Sequence, residues 1–492
     1  MNNLPNIYLN DSRPLDVHRW SDYPEVNSFI DRIYSSLPAK IGNTKIRKKH
    51  FKVLLLDLYV AWTVDPDLKL AVSRDNNRYK AKSRYNELHI SKVMPDVVDM
   101  LEDAGLVHTA NGFFDHVKKI GRVSRVWATG RLAKEFNSAL HLHFGINNLE
   151  SRECIILRDE KKKDIEYEDT KQTDEMRSLL RDYNALLAKT HIDIDYLDKP
   201  FLQFKKPNAA PLSIAQSDKF VRRIFNNRSW TQGGRFYGGW WQRCPKAQRN
   251  HICMDCIVTQ EVDYSGLHIA LLYALQGIDY WATIDVDPYL VDWPEGIDPA
   301  INQREATKKL LLTAINADTE EKAFKAFRSE SASRTPEKKL TDEVLGKVMA
   351  SLKVKHALIA NKIASGAGID LMYIDSQITE RLIAYFTKRG VPMLSIHDSY
   401  VVPFGYDNDL IREMKAAFCA VTQVQEVRLK HTTINSHEYF WADRWTVEQK
   451  KAQGEDFGEP SQRHKDDLAL FKRFHKLPEG YPEWTHPDTA LY

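Results

Sequence analysis

Residues 392–404 read PMLSIHDSYVVPF: an apolar run, the tripeptide His397-Asp398-Ser399, and a second apolar run. The pattern predicts a β-hairpin of two buried strands with a polar tip. A carboxylate placed between buried strands is costly unless it is paired or bound to a metal, so Asp398 demands a partner. A candidate lies much earlier, in EVDYSGLHIALLYALQG, residues 261–277. Cys256 to Val262 reads as a β-branched strand and Asp263 sits at its end. A helical run follows Ser265, with Leu267, Ile269, Leu271, Leu272 and Leu275 as its apolar residues. An acid at a strand-to-helix junction can hold a metal, and the next backbone carbonyl, that of Tyr264, can add a ligand.

A third segment, REATKKLLLTAINA at 304–317, predicts a helix. Arg304 and Lys308 are one turn apart and share a face, with Asn316 two turns beyond on broadly the same side. Two cations followed by a small amide suit a triphosphate with the sugar or base behind it.

In order and spacing, these segments resemble motifs A, B and C of right-hand polymerases: the family A DNA polymerases and the single-subunit phage-type RNA polymerases. Asp263, Tyr264 and Ser265 match the Asp-Tyr-Ser of motif A, with His268 where family A has Glu. Arg304 and Lys308 match motif B, while Asn316-Ala317 replaces its aromatic pair. His397-Asp398-Ser399 matches the His-Asp-Ser of the RNA enzymes. The resemblance spans roughly residues 215–410 and implies a palm with two Mg²⁺ ions bridged by Asp263 and Asp398, for which Mn²⁺ can substitute. It implies phosphate binding by Lys308 with Arg304. His268 and Asn316 would handle the sugar and base.

Upstream, GGRFYGGWWQRCPKAQRNHI (233–252) interleaves glycine, arginine and aromatic residues. Gly233 and Gly234 permit close backbone approach, and the rings offer stacking faces. A Gly-Arg segment here touches primer and template in family A enzymes, so Arg235 and Arg249, with His397, are the expected nucleic-acid contacts. A tight turn packed by Trp240 and Trp241 is the structural alternative. Cys253 and Cys256, with Cys244 and His251 nearby, could suggest zinc. Structural zinc sites usually carry two well-spaced ligand pairs, so these read as buried strand cysteines.

The 492-residue chain is long enough for roughly two to four domains. The expected class is α+β. Residues 1–40 form an irregular arm, 41–145 a winged-helix-like domain, 146–211 a hairpin and helical connector, 212–445 a palm and fingers domain with antiparallel sheet and helices, and 446–492 a polar tail. The winged-helix expectation rests on an apolar helix (FKVLLLDLYVAW), a helical pattern closed by Gly105, and two strands around a basic turn in GFFDHVKKIGRVSRVWATG. A plain packing domain or docking surface is the alternative.

A net charge of +3 gives little global signal of nucleic-acid binding, though a mixed surface can still carry a basic groove. Five cysteines, an odd number, predict a reducing compartment without a disulfide framework. No apolar run approaches the length of a membrane span and the N-terminus lacks a secretory pattern, so a cytoplasmic protein is expected. No phosphate loop, HExxH or Rossmann fingerprint is present.

The expected function is template-directed nucleotidyl transfer, leaning to a primase or small RNA polymerase of a phage or mobile element. DNA or RNA template, primer and nucleoside triphosphates would be its partners in replication or transcription. Three alternatives stand beside it. One is a family A-type DNA polymerase. Another is a degenerate palm that only grips nucleic acid. The third is a metal-dependent nuclease, which the triphosphate-binding cations disfavour.

Overall fold

The computed structural model describes residues 12–38, 44–75, 78–115, 117, 120–148, 151–204, 211–255, 257–432 and 460–477. Two hydrophobic cores organise them. One draws its buried residues from 26–146 and the other from 154–427.

The first core forms around the helix Thr44–Val64, whose residues from His50 to Ala61 are all buried. That explains its near-continuous apolar run: a helix enclosed on every side needs no polar face. The strands Ser12–Pro14, Lys69–Val72, Ser124–Ala128 and Val107–Ala110 make a four-stranded sheet in that order. The helix Val93–Asp103 packs beside it and ends where Gly105 adopts φ +65°. A strand and a turn-rich segment, 69–92, lie between the two expected helices. The hairpin Phe113–Asp115/Ile120–Arg122 projects from this unit, and the Lys118-Lys119 turn lies outside the described residues.

The expected irregular arm is corrected in part: Pro24–Ser35 is a helix. Pro24 opens it, and Val26, Phe29, Ile30 and Ile33 bury one stripe against the first core. The polar tail is corrected likewise. Gln462–His475 is a helix capped by the Ser461 side chain, burying His464, Leu468 and Phe471 at i, i+4 and i+7. The remainder of that tail, 446–459 and 478–492, lies outside the described residues.

The second core surrounds two sheets. In one, the strands run Asp164–Ile165, Ile155–Arg158, Val221–Phe225 and Gly233–Gly238. In the central sheet they run Ile192–Ile194, Ile252–Met254, Ile257–Tyr264, Ser399–Pro403 and Leu394–Ile396, all antiparallel, and Leu429–Thr432 also pairs with Ile257–Tyr264. The boundary expected at 211 would therefore cut through both sheets and is corrected. Ile155–Arg158 and Ile192–Ile194, assigned to a connector, are strands of the same body. Ile155–Arg158 is an inner strand between Asp164–Ile165 and Val221–Phe225, and Ile192–Ile194 is the edge beside Ile252–Met254.

Asp407–Thr422 packs on the Ile257–Tyr264 and Ser399–Pro403 strands, and Gly368–Lys388 packs on Asp407–Thr422 and on Gly233–Gly238 of the other sheet. Gln303–Asn316 is the helix predicted at 304–317. The α+β class with an antiparallel sheet is the observed one. No described helix is long and apolar enough to cross a membrane.

Candidate active site

The Ile257–Tyr264 and Ser399–Pro403 strands pair so that Asp263 stands opposite Ser399, and the Tyr264 amide donates to the Asp398 carbonyl at 3.1 Å. Main-chain pairing thus brings Asp398, at the hairpin turn, beside Asp263. The turn is tight enough to hold His397 at φ +59°, with its ring 6.0 Å from that of Tyr237. On the other side of Asp263, Gly266 at φ +68° lets the chain pass from strand into the helix Leu267–Ala274.

Glu261 and Asp263 are two apart on one strand and share a face. They are treated differently. Glu261 accepts from Arg249 at 2.7 and 3.2 Å and from the Ser399 hydroxyl at 2.5 Å. Burial would raise its carboxyl, but Arg249 and Ser399 outweigh burial and hold it low. Among the described residues, neither Asp263 nor Asp398 has an ion pair or a side-chain hydrogen bond. Burial and then the charge of Asp398 push Asp263 up to about 6. Two adjacent carboxylates, half-buried and unneutralised, are an unfavourable arrangement that a bound cation would relieve.

Cationic charge surrounds the pair without touching it. The charge of Lys308 reaches both Asp263 and His268, and its Nζ lies 5.8 Å from the Tyr289 ring centroid. Arg304, one turn earlier, is committed to Asp287 and Glu305 at 2.6 Å each. His268, at the start of its helix, is held down to about 4 by burial and by Arg235 and Lys308, and so is neutral near pH 7. Arg235 donates to Asp375 at 2.6 Å and also feels Asp398. Asp375 is 1% exposed, and burial pushes it up to about 6 against the pull of Arg235.

Several expected residues are placed differently. Asn316 is exposed at the end of its helix, donates to the Leu312 carbonyl, and packs against Gly368. Among the described residues, its side chain makes no hydrogen bond to either carboxylate. Arg249 is engaged by Glu261 rather than open to nucleic acid, because an unpaired Glu261 in the central strand would be costly. The Tyr264 side chain enters the core, its hydroxyl donating to Met414; only its backbone lies at the acids. Gly233 and Gly234, at φ +76° and +73°, serve close approach to protein. A Cβ on Gly234 would sit 2.8 Å from the Ser376 hydroxyl, and this proximity seats Arg235 on Asp375.

Sequence reasoning missed Asp375 and Glu261. Asp375 lies on the stripe Leu371, Asp375, Ile378, Leu382 that Gly368–Lys388 buries. An acid at a core position of a helix was the available signal.

The donor set suits hard cations: Asp263 and Asp398 with the backbone beside Tyr264 are all oxygen. The cysteines do not suit zinc. Cys253 is buried against the Asp193 carbonyl, and burial raises the Cys244 thiol to about 12; Cys256 lies outside the described residues. One further buried group has ligand chemistry: His191, Asp193 and His464. Arg463 and His464 already occupy the Asp193 carboxylate at 2.9 and 2.6 Å. That arrangement fastens the C-terminal helix to the central sheet.

No protein-family model matches the chain, and no curated protein matches it. Sixteen chains of solved structures do match. One is the POL domain of Pol1 from M. smegmatis in complex with DNA primer-template and dNTP, at 10% identity and a TM-score of 0.27. The match covers 53% of this chain and 52% of that one, so the chain spans about half the length of that structure.

Proposed function

We propose that the protein is a template-directed nucleotidyltransferase acting at Asp263 and Asp398. The observation that carries this reading is the contrast on one strand face. Glu261 is fully neutralised, while Asp263 and Asp398 face each other without a partner and with Lys308 in electrostatic range. A structural acid pair would be satisfied as Glu261 is; an unsatisfied one is prepared for cations.

Asp263 and Asp398 would hold two Mg²⁺ ions, which supply activation of a 3′-hydroxyl and neutralisation of the triphosphate. Lys308 would bind the phosphates, with Arg304 contributing once it leaves Asp287. Arg235, anchored by Asp375, would place positive charge beside the strand end, next to His397. Neutral His268 is bulky enough to stand at the sugar without repelling cations. In place of Glu it removes one negative charge from the site, and we lean to ribonucleotide use, as in a primase or small RNA polymerase. The N-terminal unit, with its projecting hairpin, would contact the template as a winged-helix-like module.

The test is incorporation of labelled NTP or dNTP on single-stranded and primed DNA and RNA with Mg²⁺ or Mn²⁺, with Asp398→Ala alongside. Wild-type incorporation that the variant lacks is expected. If neither protein incorporates on any template while both bind nucleic acid equally, the protein only grips nucleic acid and the catalytic reading falls.

A further inference from the structure

A cavity of about 370 Å³ lies against the hairpin formed by Val221–Phe225 and Gly233–Gly238. Arg152, Arg222 and Arg243 line it, together with Phe220 and Tyr237. Two acids, Asp16 and Asp218, also line it, but both are drawn onto Arg19, which pairs with each of them and with Asp57. Asp16 is shared with Arg152, at 4.0 Å. Arg222 and Arg243 form no ion pair among the described residues. Arg152 is 9% exposed, its guanidinium 4.4 Å over the Phe220 ring. Burial, opposed by Asp16 and reinforced by the charge of Arg222, holds Arg152 down to about 10. Arginines placed to repel one another in a concavity are costly for folding alone and become favourable once an anion joins them.

The anion is larger than a phosphate. The volume is within the range of small-molecule sites, roughly 300–1,000 Å³. Aromatic walls offer a stacking face. Trp240, also in the lining, is 1% exposed, and its indole N–H has no acceptor among the described residues. Tyr237 links the cavity to the acids, since its ring lies 6.0 Å from that of His397, the neighbour of Asp398.

We infer that this cavity is a second nucleotide site, separate from the one at Lys308, with phosphates on Arg222 and Arg243 over Arg152 and a base against Tyr237. The inference deepens the polymerase reading and rests on it for its purpose. A nucleotide held there would sit beside the reacting pair, as a free triphosphate used to start a strand or as a nucleotide of a bound single strand.

Binding would be measured by calorimetry in EDTA, where cation-dependent binding at Asp263 and Asp398 is abolished. The probes are ATP, an oligothymidylate of eight nucleotides, and inorganic pyrophosphate. Wild type is compared with Arg222→Ala/Arg243→Ala, and with Arg243→Glu, which alters an exposed side chain and so preserves the fold. The expected result is binding of ATP or the oligonucleotide well above pyrophosphate, weakened at least tenfold in both variants. Loss confined to ATP identifies a free nucleotide as the occupant. Loss confined to the oligonucleotide identifies a strand. Unchanged affinities in both variants, or no binding by wild type, overturn the site. Because no incorporation is read, a failed polymerase assay leaves this result standing, and a failed binding assay leaves the polymerase reading standing.

Discussion

At Asp263 a carboxylate is held where ionisation is unwelcome, and that has a measurable sign. Its value in the fold, about 6, is above its ordinary 3.8. The stability it contributes is therefore full below about 3.8 and is lost as pH rises through about 6. Asp375, also pushed up to about 6, acts in the same direction. In EDTA, Asp263→Asn should melt higher than wild type at pH 8, and this advantage should shrink as pH is lowered towards 5, since buried histidines such as His191 titrate alike in both proteins. Mg²⁺ should then stabilise wild type and leave Asp263→Asn unmoved; equal stabilisation of both would remove these acids as the cation site. Lys308→Ala should raise the KM for nucleotide more than it lowers kcat, as removal of phosphate binding does. That Asp263 and Asp398 meet, with Lys308 in electrostatic range, was legible in the sequence because each interrupts or decorates an otherwise plain strand or helix. Asp375 was not, since its pairing depends on Gly234 bringing the strand that carries Arg235 close to the helix Gly368–Lys388. Arg249 looked like a nucleic-acid contact because sequence cannot show that Glu261 already holds it.

The hairpin strands and the helix Leu267–Ala274 beside the acids could be read because they are short but almost continuously apolar. The elements missed are short stripes inside polar stretches. Pro24–Ser35 shows only four buried residues, and Gln462–His475 only three. Their identity as helices comes from docking, not from composition. The C-terminal helix depends on Phe471, 1% exposed, with its ring 5.2 Å from that of His191 and 5.6 Å from that of Phe144. Truncating a buried Phe costs about 3–5 kcal/mol. Phe471→Ala should accordingly release this helix, and hydrogen exchange at Ile192–Ile194 should quicken while that at Ser399–Pro403 stays slow. Equal quickening at both strands would mean that the helix supports the whole core and not this edge alone.

Across the whole molecule, the two cores meet at Arg19. Its Nε binds Asp57 of the first at 3.0 Å, and its other nitrogens bind the Ser217 carbonyl and Asp218 of the second. Removing one partner of such a buried network costs on the order of 3 kcal/mol. Arg19→Ala should lower the melting temperature and speed exchange at 215–220; an unchanged protein would mean the cores are joined by other contacts. The central sheet is also organised at this scale. The chain leaves it after Tyr264, runs through a series of helices, and returns at Leu394 to the same sheet, where Ser399–Pro403 pairs with the strand it left. The acids therefore stand at the mouth of a closed excursion, and their separation is indifferent to its continuity. A protease nick in the exposed turn at 332–334 would yield two fragments, each carrying one acid, that stay registered through the shared strand pairing. The same topology makes the molecule a natural candidate for division into two separately expressed halves that regain activity only when mixed.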